Sequence, residues 1–316
     1  MIEFNWEKKG MIFDPTNRFD WMQNYAQVPT VLERPDSYRV YFACRPNPDE
    51  RGLYVSHIAY ADFDKYDLTK LLSVSKKPVL PLGDKGTFDE FGIHPTGILK
   101  RGQEIYLYYT GWSRGGSVPY ETWIGLAISR DGGETFSRYS EGPILGKSVN
   151  DPYLANGAIV YQQEERVHMI YASARKWIRI NKKFEPVYTL KSAESTDGIL
   201  WSVNADAVLP NLNEDECISR PAIYLVEDNS YLWYGYRRAS DFHGGENSYR
   251  LGFAIKRGNM PYTRLDHLGV PLSSKGWDSE MMSYPAVFKR DNELVMLYNG
   301  NAFGKEGFGY CQTLLK

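Results

Sequence analysis

The sequence predicts an all-β chain folded as a single five-bladed β-propeller with four-stranded blades. Three observations carry this reading: a short segment recurs five times, the same succession of strand-like runs follows each copy, and tyrosine is unusually abundant. The segment has a small or polar lead, then Pro or Gly, then an apolar β-branched run. It stands as VPTVL at Pro29, HPTGIL at Pro95, NGAIV at Gly157, RPAIYL at Pro221 and YPAVF at Pro285, with anchors roughly 64 residues apart. A repeat of that length holds about four strands, the size of one propeller blade. A sandwich would not repeat at this interval, and no apolar stripe of helical period supports a parallel α/β sheet.

Each anchor opens the first strand of its unit. A second strand follows, with an aromatic 13 or 14 residues past the anchor: Phe42, Tyr109, Tyr171, Tyr234 and Tyr298. Third strands are GLYVSHIAY, TWIGLAIS, YTLKSAES and YRLGFAIK. Two of them run into matching turns, Ser129–Asp131–Gly132 and Ser195–Asp197–Gly198, where Asp and Gly suit a tight reversal before Phe136 and Trp201. Short apolar runs read as fourth strands: KPVLPL, GPILG, DAVLP and GVPL. Only three strands remain after Pro285, ending in GFGYCQTLL, while the N-terminal KKGMIFDP resembles the fourth-strand runs. The N-terminal strand is therefore expected to complete the fifth blade and remove an exposed sheet edge. Residues 1–316 then form one domain.

Composition narrows the function classes. Among 316 residues, 37 Lys and Arg against 39 Asp and Glu leave a net charge of −2 and a pI near 6.3. Nucleic acid and anionic membrane are not expected partners, since both call for a basic excess or stripe. With 24 Tyr, 14 Phe and 8 Trp, aromatics reach 15% of the chain. Tyrosine suits strands and also surfaces that meet carbohydrate, offering an apolar face with a hydroxyl at its edge. The three cysteines, Cys44, Cys217 and Cys311, form no disulfide framework and no zinc or redox spacing. The charged N-terminus carries no leader-like apolar run, so a cytoplasmic location is expected. Oligomeric state is left open.

Propeller geometry says where a site belongs. The starts of first strands, ends of second strands and starts of third strands share one face around the central channel. The loops before the anchors hold Asp89, Glu90 and His94 in unit two, Asp151 and Asn156 in unit three, Asp215, Glu216 and Arg220 in unit four, and Asp278, Glu280 and Tyr284 in unit five. Second strands end near Arg45, Trp112, Arg114, Arg175, Arg237 and Asn301, and the fourth unit's next loop adds His243, Tyr249 and Arg250. Carboxylates, arginines and aromatics gathered at one mouth suit a small polyhydroxylated ligand, acidic or neutral. Acids before a strand also cap turns, and recurrent arginines also tie loops together.

These residues resemble a known group. The five-unit layout, the S-x-D-G-x-x-[FW] turns and the run YRLGFA resemble the five-bladed propeller glycosidases, which include arabinosidases, xylosidases and invertases. More narrowly, ISRPAIY, NSYRLGFA and WDSEMMSYPAVF are similar to glycosidase-related propellers of bacterial surface-sugar gene clusters. The resemblance implies chemistry at a glycosidic bond by two carboxylates, one a proton donor and the other a base or nucleophile. Where arabinosidase-like members carry acids, this chain has Val28, Asn156 and Ser219. Asn150–Asp151–Pro152 and Glu216–Cys217 resemble invertase motifs, displaced along the chain.

The catalytic acids are accordingly expected among the loop positions. Glu216 and Glu280, followed by apolar residues, are the candidate proton donors, with Asp151 or Asp89 as base or stabiliser. The substrate-binding set is Arg45, Glu90, His94, Trp112, Asn156, Arg175, Arg220, Arg237, Tyr284 and Asn301. No resident metal or cofactor is expected, though an acidic channel could hold calcium. Two further readings stay open: a sugar-binding propeller without catalysis, and an enzyme of surface-glycan synthesis acting on an activated sugar.

Overall fold

The computed structural model describes residues 3–240, 242 and 245–315. A first strand, β1 (Glu7–Phe13), precedes four antiparallel meanders that run in chain order around an axis. The first contains β2 (Asn24–Glu33), β3 (Ser37–Arg45), β4 (His57–Asp64) and β5 (Leu71–Val74); the second β6 (Gly92–Arg101), β7 (Glu104–Arg114), β8 (Tyr120–Ser129) and β9 (Ser137–Arg138). The third contains β10 (Ala155–Gln163), β11 (Arg166–Ile180), β12 (Lys183–Ser195) and β13 (Ser202–Ala207); the fourth β14 (Glu216–Val226), β15 (Asn229–Arg238), β16 (Arg250–Arg257) and β17 (Thr263–Arg264). The last blade has β18 (Ser283–Arg290), β19 (Glu293–Asn299) and β20 (Phe308–Leu314), and β1 is its outermost strand. The innermost strands β2, β6, β10, β14 and β18 contact one another in a closed ring. The protein is a five-bladed propeller.

The anchors mark a bulge repeated in every inner strand. Register shifts fall at Gln27/Thr30, Pro95/Gly97, Asn156/Ile159, Ser219/Ala222 and Ser283/Ala286. Proline lacks the donor a ladder needs, so a bulge is where a strand tolerates it. The backbone is left-handed at Val28, Gly157, Arg220 and Tyr284, with φ of 59°, 59°, 47° and 55°. Three of these are not glycine, and such a conformation costs about 1–3 kcal/mol each. The bulges turn the residue beside each anchor toward the axis.

The predicted fourth strands differ from those observed. KPVLPL, GPILG and GVPL lie after the outer strands rather than in them, and DAVLP overlaps only the end of β13. Pro78, Pro81, Pro143, Pro210 and Pro271 deprive these runs of ladder donors. Val79, Leu80, Leu145, Leu209 and Val270 instead plug the clefts between blades as buried core.

A polar latch recurs between the segment preceding a blade and its second strand. Tyr109 donates to Asp89 at 3.0 Å, Tyr171 to Asp151 at 2.9 Å and Tyr298 to Asp278 at 2.9 Å, each pair 20 residues apart. A cation completes each latch: Arg138 at 2.7 Å, Lys191 at 3.5 Å and Lys8 at 2.7 Å. Burial would raise the Asp278 carboxyl, but the bonds from Lys8, Ser273 and Tyr298 outweigh it and hold it below the usual range. Blade four reroutes the device: Tyr234 donates to Asp266, and Arg264 bridges Asp266 and both oxygens of Glu216. In blade one Met22 and Phe42 replace the pair within an apolar cluster.

β1 joins the last blade by pairing with β20. Phe13 is 2% exposed and meets Phe42 and Phe308 at 4.8 and 5.3 Å, while Phe4 and Trp6 pack on Trp233 of blade four. Deleting residues 1–15 removes these contacts with the Lys8–Asp278 pair and bares the β20 edge. The truncated chain is expected to melt earlier and aggregate; unchanged melting with a monomeric profile in size-exclusion chromatography would refute the closure.

Candidate functional site

A cavity of about 620 Å³ opens on the axis where the inner strands begin. The bulges supply its floor: Val28, His94, Asn156, Gly157, Arg220 and Tyr284 come from all five inner strands. Arg220, 3% exposed, is the axle of the floor. From blade four its guanidinium donates to the carbonyls of Pro29 at 3.1 Å and Ala158 at 2.9 Å, to Thr30 Oγ1 at 3.0 Å and to the carbonyl of Thr96. One side chain thus ties blades one, two and three to blade four. Burial lowers its pKa to about 9, which still leaves it protonated at neutral pH.

The walls come from the ends of second strands and the starts of third strands. Arg45 lies over Tyr25 at 4.5 Å and donates to Gln27 at 3.2 Å. Arg237 is 5% exposed and lies over Phe242 at 3.6 Å. Arg114 covers Phe91 at 3.9 Å, and Trp112 donates to Ser56 at 2.9 Å. Tyr120 and Tyr188 bring their hydroxyls within 3.3 Å, and Ser219 and Tyr249 within 3.2 Å. Burial, then the nearby Arg45 charge, push the His94 imidazole down to about 3, so it is neutral near pH 7.

One wall is an excursion beyond the blade. β11 and β12 run past their sheet as a hairpin closed by Asn181 and Lys182, both left-handed at φ 47° and 70°. A two-residue turn with both centres left-handed matches strand twist. Trp177 of this arm packs edge-on against Tyr120, with centroids 5.6 Å apart. Lys183 and Glu185, two apart on one strand, both line the cavity. Glu185 is the one carboxylate among the described lining residues, beside Arg45, Arg114, Lys183, Arg220 and Arg237.

Of the residues expected from sequence, Arg45, His94, Trp112, Asn156, Arg220, Arg237 and Tyr284 meet at this cavity. The four expected catalytic acids do not. Asp89 and Asp151 are fully buried in their latches, where tyrosine, cation and hydroxyl partners occupy the carboxylates. Glu216 is 3% exposed, its oxygens held by Arg264 at 2.9 and 3.0 Å and by the Leu212 amide at 2.7 Å. Glu280 is exposed outside the cavity. Glu90 accepts from the Gly86 amide, Arg175 donates to the Glu214 carbonyl, and Asn301 accepts from the amides of Glu280 and Met281; all three organise loops outside the cavity. His243 lies outside the described residues. Among the described residues no group of three or more His, Cys, Asp and Glu could hold a metal.

Sequence reasoning missed Tyr54, Tyr120, Lys183, Glu185 and Tyr188. The signal was present: these positions precede or open third strands, on the face that propeller geometry already selects. The Asn181–Lys182 pair between strand-like runs marked the arm.

Fold and site together define a five-bladed propeller with an axial cavity, the architecture that propeller glycoside hydrolases share. A solved structure described as a glycoside hydrolase superposes with a TM-score of 0.76 at 16% identity, covering 98% of this chain and 92% of that one. A thermostable family-43 glycoside hydrolase superposes at 0.63 with 16% identity, covering 95% and 91%. No family model matches the chain. The uncharacterized protein Rv1502 of Mycobacterium tuberculosis is 30% identical over 312 residues, 96% of this chain and 97% of that protein, and the chain belongs to its family. An invertase of Debaryomyces hansenii is 25% identical over 171 residues, covering 53% of this chain and 28% of the invertase.

Proposed function

We propose that the protein binds a carbohydrate in the axial cavity and acts at its anomeric carbon, with Glu185 as the proton-transferring group. The observation that carries this is the cavity itself: aromatic faces, hydroxyls and one carboxylate surround a volume fit for a small sugar. The shared architecture with glycoside hydrolases supports it. Hydrolysis by a carboxylate pair requires two acids flanking one bond. The described cavity residues supply one, Glu185, and Asp89, Asp151, Glu216 and Glu280 are not among them. Val28, Asn156 and Ser219 all line the cavity, so the floor positions that hold acids in arabinosidase-like propellers are non-acidic here.

The test is a calorimetric panel of monosaccharides, glycosides and sugar esters against wild type and Trp112→Ala. At least one sugar class should bind, and loss of the indole should weaken it by a few-fold to about 10-fold. Absence of binding by every class, or binding indifferent to Trp112, would overturn the assignment.

A further inference from the structure

A carbohydrate site alone leaves the charge of this cavity unexplained. Among the described residues Arg45, Arg114, Arg220 and Arg237 make no ion pair, although Arg39, Arg138, Arg238, Arg264 and Arg290 elsewhere all do. The Nε atoms of Arg45, Arg220 and Arg237 are buried without a partner, as is Nε2 of His94. Arg220 and Arg237 are 3% and 5% exposed, so bulk water cannot satisfy them freely. Arg45 and Arg237 line the same cavity as Tyr284, and both act electrostatically on its hydroxyl.

We infer that the ligand is a glycosyl phosphate, its phosphate held by Arg45, Arg114 and Arg237 and departing as the leaving group. This rests on the reading of the cavity as a carbohydrate site. Two independent facts converge on it. Planar guanidinium groups recognise phosphate and carboxylate alike, so charge alone would admit a uronic acid. The count of acids separates the two. An ordinary glycoside leaves as an alkoxide and needs a proton donor beside the base. A phosphate leaves as a stable anion and needs only cations. A cavity whose described lining holds Arg45, Arg114 and Arg237 without an ion pair among the described residues, one carboxylate and a neutral His94 fits the second case.

The step balances without a second acid. The oxygen of water, or of an acceptor sugar hydroxyl, bonds to the anomeric carbon while the bond from that carbon to the phosphate oxygen breaks. The bonding pair leaves with the phosphate, and Glu185 takes the proton of the attacking oxygen and returns it to solvent.

Calorimetry on the full chain with inorganic phosphate, hexose 1-phosphates, nucleoside diphosphate hexoses, free hexoses and hexuronic acids tests this, with release of phosphate or nucleotide as the turnover readout. Phosphorylated sugars are expected to bind at least about 10-fold tighter than free hexoses, a factor of 1.4 kcal/mol. Arg45→Gln should erase most of that difference, and Arg114→Gln serves as second variant if the first does not fold. Released inorganic phosphate marks a sugar 1-phosphate as substrate, and released nucleoside diphosphate marks a nucleotide sugar. Binding of hexuronates or neutral sugars with no effect of phosphate overturns the inference and leaves the carbohydrate assignment standing. Silence from all classes overturns both.

Discussion

Arg220→Met should lower the stability of the fold by about 3–5 kcal/mol, the largest effect expected of any single replacement near the cavity. The guanidinium donates to the carbonyls of Thr96, Ala158 and Pro29 and to Thr30 Oγ1, which belong to three inner strands other than its own. Methionine fills similar space but leaves those acceptors unpaired at the closed ring, and an unmet buried acceptor costs more than a made bond contributes. The left-handed backbone at Arg220 then persists without the contacts that hold it. Arg220→Lys retains the charge but offers three donors without the planar fork, so it should recover only part of the loss. Chemical denaturation followed by tryptophan fluorescence measures this. A midpoint for Arg220→Met equal to wild type would show that the ring closes without its axle.

Glu185→Gln should reduce turnover of whichever sugar substrate the wild type accepts by about 10²–10⁴-fold, with ligand affinity nearly unchanged. The amide preserves shape and hydrogen bonding but cannot take up a proton. Glu185 reaches the cavity on the β11–β12 arm, away from the ring, so the change should not disturb the fold. Steady-state kinetics beside calorimetry separates the two effects. Full turnover in this variant excludes Glu185 as the proton-transferring group, and weakened binding with unchanged kcat assigns it to recognition instead.

The acids show why residue type and local position point ambiguously. Asp89, Asp151 and Asp278 sit just before inner strands, and a channel-mouth acid has the same sequence address as a latch acid. The deciding fact is the tyrosine 20 residues on, whose hydroxyl takes up the carboxylate. The repeat contained that pairing, since the aromatic of each second strand was visible, but only the fold shows Tyr109 and Asp89 in contact. Blade four hides it further, because Asp266 comes from the outer side of its own blade.

What the sequence determined by itself is the architecture. A repeat of about 64 residues with Pro or Gly at one place in each copy dictates five equivalent meanders, and three strands after the last anchor require the N-terminal strand to close the ring. Periodicity is a property of the chain, and hydrogen-bond ladders read it directly. Tertiary structure decided the chemistry. Bulges turn side chains from five distant segments onto one axis, and an over-long hairpin carries Glu185 over it. Whether a carboxylate faces a ligand or a tyrosine depends on partners tens of residues away, and no local pattern encodes that distance.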